Sequence, residues 1–272
     1  MRIATRVTTI GSGERRIAPI ERVEAATGYF AAIDPVGTGF AMCVPLGLNR
    51  DMRSDYHANL RQLAELLHAM CEQDRTAISA ATYAVVNADI EQAEAALDIV
   101  GQVEEMAQQT EQEALRLLAL QAPVASELRR VVTAIQLTGH LQRMGALAGH
   151  IATSARRRHP EPVVPEPVRP LVERLGSTAC AIATSAAAVL ETGDPYDAAG
   201  LDAQDDALDT LHEQLLAAVL DHEWAHGITA AVDLTLLGRY YERFADNAVE
   251  VGRRTIFLTT GETADNWAPG DQ

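Results

Sequence analysis

The segment His159-Pro160-Glu161-Pro162-Val163-Val164-Pro165-Glu166-Pro167 constrains this chain more than any other. Four prolines in nine residues cannot lie inside a helix, because each removes an N–H donor and its ring clashes with the preceding turn. The segment reads as a stiff, extended connector. On both sides of it, apolar residues recur at helical spacing over long runs. The fold is therefore expected to consist of two helical blocks joined at residues 159–167.

Downstream of Met52, Tyr56, Leu60, Leu63, Leu67, Met70 and Cys71 share one helical face, which Ile78, Ala81, Tyr83 and Val85 extend. Asn87-Ala88-Asp89 interrupts the run, with Asp89 as N-cap of the next helix. The second helix is predicted over about 90–120, with Ala93, Leu97, Val103 and Leu115 among its inward residues. Pro123 is placed just inside the start of a third helix, where its missing N–H costs nothing. Leu128, Val131, Val132 and Leu141 mark the inward face of that helix. Arg156, Arg157 and Arg158 should close it, since cations favour a helix C-terminus. Beyond the connector, an alanine-rich fourth helix spans about 168–190 and stops at Gly193-Asp194-Pro195. A fifth is predicted over 196–222 and a sixth over 228–257, stopped by Thr259-Thr260-Gly261-Glu262.

The two blocks match in detail. Asn87-Ala88-Asp89 corresponds to Thr192-Gly193-Asp194, and Gln142–Ala148 to Glu242–Ala248. The expected fold class is all-α, a tandem pair of three-helix bundles related by internal duplication. Residues 52–158 form the first unit, 168–262 the second, and 263–272 a tail. Residues 1–51 are broken by glycine and proline and show no long amphipathic period. They read as a poorly ordered extension with one short strand at 40–44. An alternative reading starts translation at Met52 and makes 1–51 a mis-assigned start.

The formal net charge is -16, and all 22 basic residues are Arg. That acidity argues against nucleic acid as a main partner, because phosphate binding needs a basic surface. It suits cations, or a basic face on a partner protein. Cys43, Cys71 and Cys180 are widely spaced and odd in number, which suggests neither a disulfide framework nor a zinc knuckle and fits a reducing cytoplasm. No apolar run of about 18 residues stands out, so no membrane span is expected.

Glu242 and Asp246 lie four residues apart on the sixth helix and share a face. Such a pair repels by about 0.2–0.5 kcal/mol when exposed. The fifth helix carries Asp202, Asp205, Asp206 and Asp209, which form two further pairs at this spacing and are poor for helix propensity. Taken singly, each is an ordinary solvated residue, and Arg239 and Arg243 stand beside the first pair. Two acidic faces on consecutive helices nevertheless predict a carboxylate-lined metal site built from Glu242, Asp246, Asp209, Asp206, Asp205 and Asp202. Hard oxygen donors on rigid helices suit magnesium, manganese or iron, with zinc also compatible. The first half breaks the pattern. Gln142, Ala146 and Gly101 stand where the second half has Glu242, Asp246 and Asp206, and only Glu104 stands in place of Asp209.

Other motifs are weaker. Glu65…His68 and Glu223…His226 have the Glu-x-x-His form of di-iron bundles, but the supporting carboxylate helices are in the wrong order. Asp209 and His212 could act as an accessory ligand pair. Gly11-Ser12-Gly13 lacks the Lys and the helix of a phosphate loop. No nucleophile stands with its base, so no catalytic residue is predicted and the chain does not read as an enzyme.

The motif Arg-Tyr-x-Glu-Arg-x-x-Asp-x-Ala at Arg239–Ala248 resembles the PhoU family, as do Leu120–Arg129, Met52–His57 and the closing Thr259–Glu262. The resemblance covers about 52–262. It implies a cytoplasmic negative regulator of phosphate uptake and phosphate-starvation signalling. Such a regulator would be an adaptor between a phosphate ABC transporter (through its ATPase subunit) and a sensor histidine kinase, commonly a homodimer and near membranes only through its partners. It also implies multinuclear iron or zinc at Glu242, Asp246, Asp206 and Asp209. Two other readings are a metal-storage or di-iron bundle and a purely structural helical adaptor.

Overall fold

The computed structural model describes residues 29–32, 42–45, 50–121 and 123–267. Two compact units divide between Ser54 and Asp55. In the first, β1 (Tyr29–Ala32) and β2 (Met42–Pro45) form an antiparallel hairpin, with Tyr29 opposite Pro45 and Ala32 opposite Met42. The strand expected at 40–44 is thus shifted, and it has a partner that four residues of weak pattern did not reveal. The loose order expected of the remainder of 1–51 falls outside the described residues.

The second unit is helical. The helices are α1 (Arg50–Asn87), α2 (Ile90–Gln121), α3 (Ser126–Arg158), α4 (Arg169–Thr192), α5 (Pro195–Ala199), α6 (Leu201–Val219) and α7 (Gly227–Thr260). A 3-10 turn at Glu166–Val168 leads into α4. The duplication reaches the backbone. Ala88 (φ 54) and Gly193 (φ 68) are both left-handed at the end of the first helix of their half. Each is followed by a capping aspartate. Asp89 accepts from the Gln92 N–H at 3.0 Å, and Asp194 from the Tyr196 N–H at 2.7 Å. Glycine takes that conformation freely, whereas alanine is strained in it.

Both halves share one core. α1 touches α4 where Gly176 faces Thr82 and where the Cys71 thiol donates to the Ala183 carbonyl at 3.5 Å. Thr82 and the fully buried Tyr241 of α7 join hydroxyls at 2.8 Å. α7 packs on α3, α4, α5 and α6. From α3, Arg157 reaches the buried Asp233 of α7 at 2.6 Å. The arginines that close α3 therefore do more than complement a helix end.

Several expectations change. Pro123 lies outside α3, which starts at Ser126 because Ala125 is at φ 49 and cannot continue a helix backwards. The fifth helix is split at Gly200 into α5 and α6, and it ends at Val219 rather than near 222. The Gly200 N–H bonds back to Tyr196 and Asp197, which tucks α5 against Gly252 of α7. Tyr83, Leu115, Leu128 and Val132 are exposed, because they fall off the apolar stripe of very long helices. The connector is no free spacer. Its Val163 and Val164 are 2% and 4% exposed, and His159 Nδ1 lies 3.2 Å from the Ala88 carbonyl. The two valines are the only strongly apolar residues between the prolines, and burying them draws the segment onto the bundle.

The stretch Glu166–Thr192 is long and apolar enough to cross a membrane by length and composition, where no such run was expected. Its alanines and branched residues produce that hydropathy. Leu175, Ala179, Ile182, Ala183 and Ala186 are fully buried between helices of the bundle.

Candidate functional site

α6 and α7 pack together, with His212 and Leu215 of α6 closing on Gly238 of α7 and Leu201 on Gly252, beside the buried Leu208, Leu211, Leu234 and Leu237. That apolar seam leaves the intervening positions of both helices, where the carboxylates stand, on its flank. Asp205 is half-buried, and its pKa is pushed up to about 6, first by burial and then by Asp209, Asp246, Asp202 and Asp206. Burial raises Asp209 as well, followed by the charges of Glu242 and Asp246, with His212 opposing. Asp246 is raised by burial and then by Glu242, against Arg239 and Arg243. Asp205, Asp209, Glu242 and Asp246, from two helices, thus lie in one another's field.

Glu242 is the best-held member. Arg239 ion-pairs with it one turn back, and His212 Nδ1 approaches its Oε2 at 3.2 Å without hydrogen-bond alignment. Gly238 makes room for that imidazole, since a Cβ there would sit 2.7 Å from His212 Cδ2. His212, weighed from its spacing as a partner of Asp209, is therefore placed against Glu242. Asp202 is exposed and turned toward Arg253 at 3.5 Å, and Asp206 is exposed at the rim.

The donor set suits a hard cation. It is all carboxylate oxygen, mutually repelling, and two of its buried oxygens (Asp205 Oδ1 and Glu242 Oε2) have no hydrogen-bond partner. Among the described residues, however, no three ligand-type side chains converge into a ready cluster. Glu242 would have to leave Arg239 and His212 to serve as a ligand with Asp205, Asp209 and Asp246.

The matching place in the first half is different. There Gln142 of α3 donates to Glu104 of α2 at 2.6 Å, so the carboxylate faces an amide instead of a second carboxylate.

Two buried carboxylates escaped the sequence reading. Asp74 on α1 is fully buried with neither oxygen paired, and burial drives its pKa well up. Asp233 is bound by Arg157 and Arg158. A signal was present in both cases. Each stands at helical spacing within an apolar face, Asp74 among Met70, Cys71, Ala77 and Ile78, and Asp233 among Ala230, Leu234 and Leu237.

Two stretches of the chain, residues 67–155 and 172–255, match the family model described as the PhoU domain, one on each side of the connector. The chain belongs to the PhoU family. Among its relatives is a phosphate-specific transport system accessory protein, PhoU homolog 1 of Mycobacterium leprae (strain TN). The two are 46% identical over 222 residues, which cover 81% of this chain and 100% of that protein. PhoU homolog 2 of Mycobacterium tuberculosis (strain ATCC 25618 / H37Rv), of the same description, is 46% identical over 210 residues, 77% of this chain and 99% of that one. The crystal structure of PhoU from Pseudomonas aeruginosa superposes with a TM-score of 0.69 at 22% identity, covering 76% of this chain and 100% of that chain. That of Streptococcus pneumoniae gives 0.68 at 20% identity, covering 76% and 98%. At such identity the solved structures establish the shared PhoU fold: all-α, with one three-helix unit used twice.

Proposed function

We propose that this PhoU-family chain is a cytoplasmic negative regulator of phosphate uptake and phosphate-starvation signalling. It would act as an adaptor between the ATPase subunit of a phosphate ABC transporter and a sensor histidine kinase, as a homodimer, by binding rather than turnover. The observation that carries this reading is the match, over 81% of this chain and the full length of the relative, to a protein named as a phosphate-specific transport system accessory protein. The long helices support it physically, since they offer rigid surfaces over which a partner can be held or released. Deleting the gene should switch on phosphate-starvation genes in phosphate-rich medium. Unchanged repression, in a strain with no second copy to substitute, overturns the reading.

A second role rests on the flank of α6 and α7. There Asp205, Asp209, Glu242 and Asp246 would hold iron, zinc, manganese or magnesium, with Asp202 and Asp206 at the rim. The bound cation would replace their repulsion with attraction and fix α6 against α7. Elemental analysis of the native protein beside a Glu242→Ala/Asp246→Ala variant tests it. Equal metal content in the two proteins overturns it.

A further inference from the structure

In this strongly acidic protein most described arginines lie against carboxylates, as Arg157 does on Asp233 and Arg239 on Glu242. Arg61, Arg129, Arg130, Arg143, Arg174 and Arg243 make no ion pair with a carboxylate among the described residues, and the first three of these line a single cavity of about 630 Å³. Arg61 comes from α1, and Arg129 and Arg130 from the start of α3, with Leu258 and Thr259 of α7 closing the other side. The cavity is far from the acidic flank in composition and shares no residue with it.

Arg129 is set in place by packing. Its guanidinium carbon lies 5.7 Å from the centre of the Phe257 ring. It also rests on the backbone of Gly261, which is left-handed at φ 87, and a Cβ there would run into the guanidinium. Its Nε is buried and unpaired. A guanidinium positioned by an aromatic face keeps its charge available to an incoming anion. Ser126, the first residue of α3, also lines the cavity. Of the first four N–H groups of that helix, those of Glu127 and Arg129 are taken by the Val124 and Ala125 carbonyls, which leaves those of Ser126 and Leu128 close by. Glu127 follows Ser126 on α3 and with Arg130 influences Tyr56, but no carboxylate lines the cavity.

We propose that this cavity binds a small organic phosphate, a phosphoryl dianion carried on an apolar or ring-shaped body such as a nucleoside monophosphate. A single carboxylate would leave most of three guanidinium charges unanswered, whereas a phosphoryl group accepts several forked bonds at once. Bare inorganic phosphate would leave the partly exposed Leu60 and Leu258 of the wall without a partner. The volume lies within the range of small-molecule pockets. This inference rests on neither the regulator reading nor the metal site.

Calorimetric titration of the full chain with adenosine monophosphate, and separately with inorganic phosphate, tests it in magnesium-free buffer at two salt concentrations. One saturable nucleotide site per chain is expected, tighter than for inorganic phosphate and weakened by salt. Affinity should fall about tenfold or more in Arg61→Ala/Arg130→Ala, through lost charge-assisted bonds, and hold in Arg174→Ala, which lies outside the cavity. Absence of saturable nucleotide binding, or equal affinity in the double variant, overturns the site. Equally tight inorganic phosphate overturns the organic body. If the double variant does not fold, methyl resonances of the native protein decide. Nucleotide-induced shifts at Leu63, Leu67 and Leu137 support the site, and shifts confined to other regions overturn it.

Discussion

The two halves build the same helix-to-helix contact from opposite chemistry. On the first, Gln142 donates to Glu104, and the pair is satisfied within the protein. On the second, Asp209 faces Glu242, with Asp205 and Asp246 adding to the negative field, and Arg239, Arg243 and His212 offset it in part. A hydrogen bond to a charged acceptor contributes about 1.5–3 kcal/mol at best and less when exposed. Opposed carboxylates cost stability until a cation, or a proton, arrives. One half is thus electrostatically closed and the other open, although both descend from one unit.

Making the second half resemble the first should have the largest effect. Glu242→Gln together with Asp246→Ala is expected to reduce divalent metal affinity about 100-fold or more, since two of four charged donors are lost. Calorimetric titration of both proteins reads this, and retained affinity would show that the open face is not the metal site. In the native protein the same affinity should fall as pH drops through about 6, because protons then compete for Asp205. Without metal the sign is reversed. The folded pKa of Asp205 is above its unfolded value of about 3.9. Its repulsion is therefore absent below about pH 4 and fully present above about 6, so Asp205→Asn should stabilise at pH 7 and do nothing at pH 4.

A second contrast lies inside the bundle. At the same remove from its turn, the first half has Asp74 and the second Ala179, both fully buried. Asp74 binds a proton more tightly folded than unfolded, so it lowers stability increasingly as pH rises from about 4. Asp74→Asn is expected to gain about 1–3 kcal/mol at pH 8, on the scale of a buried polar group left unpaired. It should also flatten the dependence of stability on pH, as measured by urea titration at several pH values. No gain at pH 8 would mean that Asp74 has a partner.

Smaller effects test the comparison from the other side. Gln142→Glu recreates the opposed pair in the first half. It should destabilise the metal-free protein by about 0.5–1 kcal/mol through loss of the hydrogen bond, and added divalent cation should restore part of that loss. Ala88→Gly gives the first turn the residue that the second already has at Gly193. Relief of left-handed strain is partly offset by backbone entropy, leaving a gain of about 0.5 kcal/mol in thermal or chemical unfolding.

Much of this was legible in the chain itself, because it depends on local pattern. Helical spacing located the long helices, and Asn87-Ala88-Asp89 against Thr192-Gly193-Asp194 exposed the repeat down to its capping aspartates. The acidic pairs on α6 and α7 were visible as i,i+4 spacings. Relations between helices were not. His212 meets Glu242 because of the rotation of α6 against α7 and the space above Gly238, neither of which a single-helix pattern encodes. Gly200 breaks a run whose apolar period continues through it. Asp74 and Asp233 look like surface carboxylates until the width of the apolar face around them is counted.

The connector carries a consequence for the history of the molecule. When one unit became two, a segment such as 159–167 need only have bridged a gap. Here Val163 and Val164 are sealed into the common interior, and Gly176 lets α4 press on Thr82 of α1. Neither copy now possesses a complete surface of its own, so the duplication acts as a ratchet. A substitution in either repeat is felt by both, and the ancestral single unit cannot be recovered by cutting at the prolines.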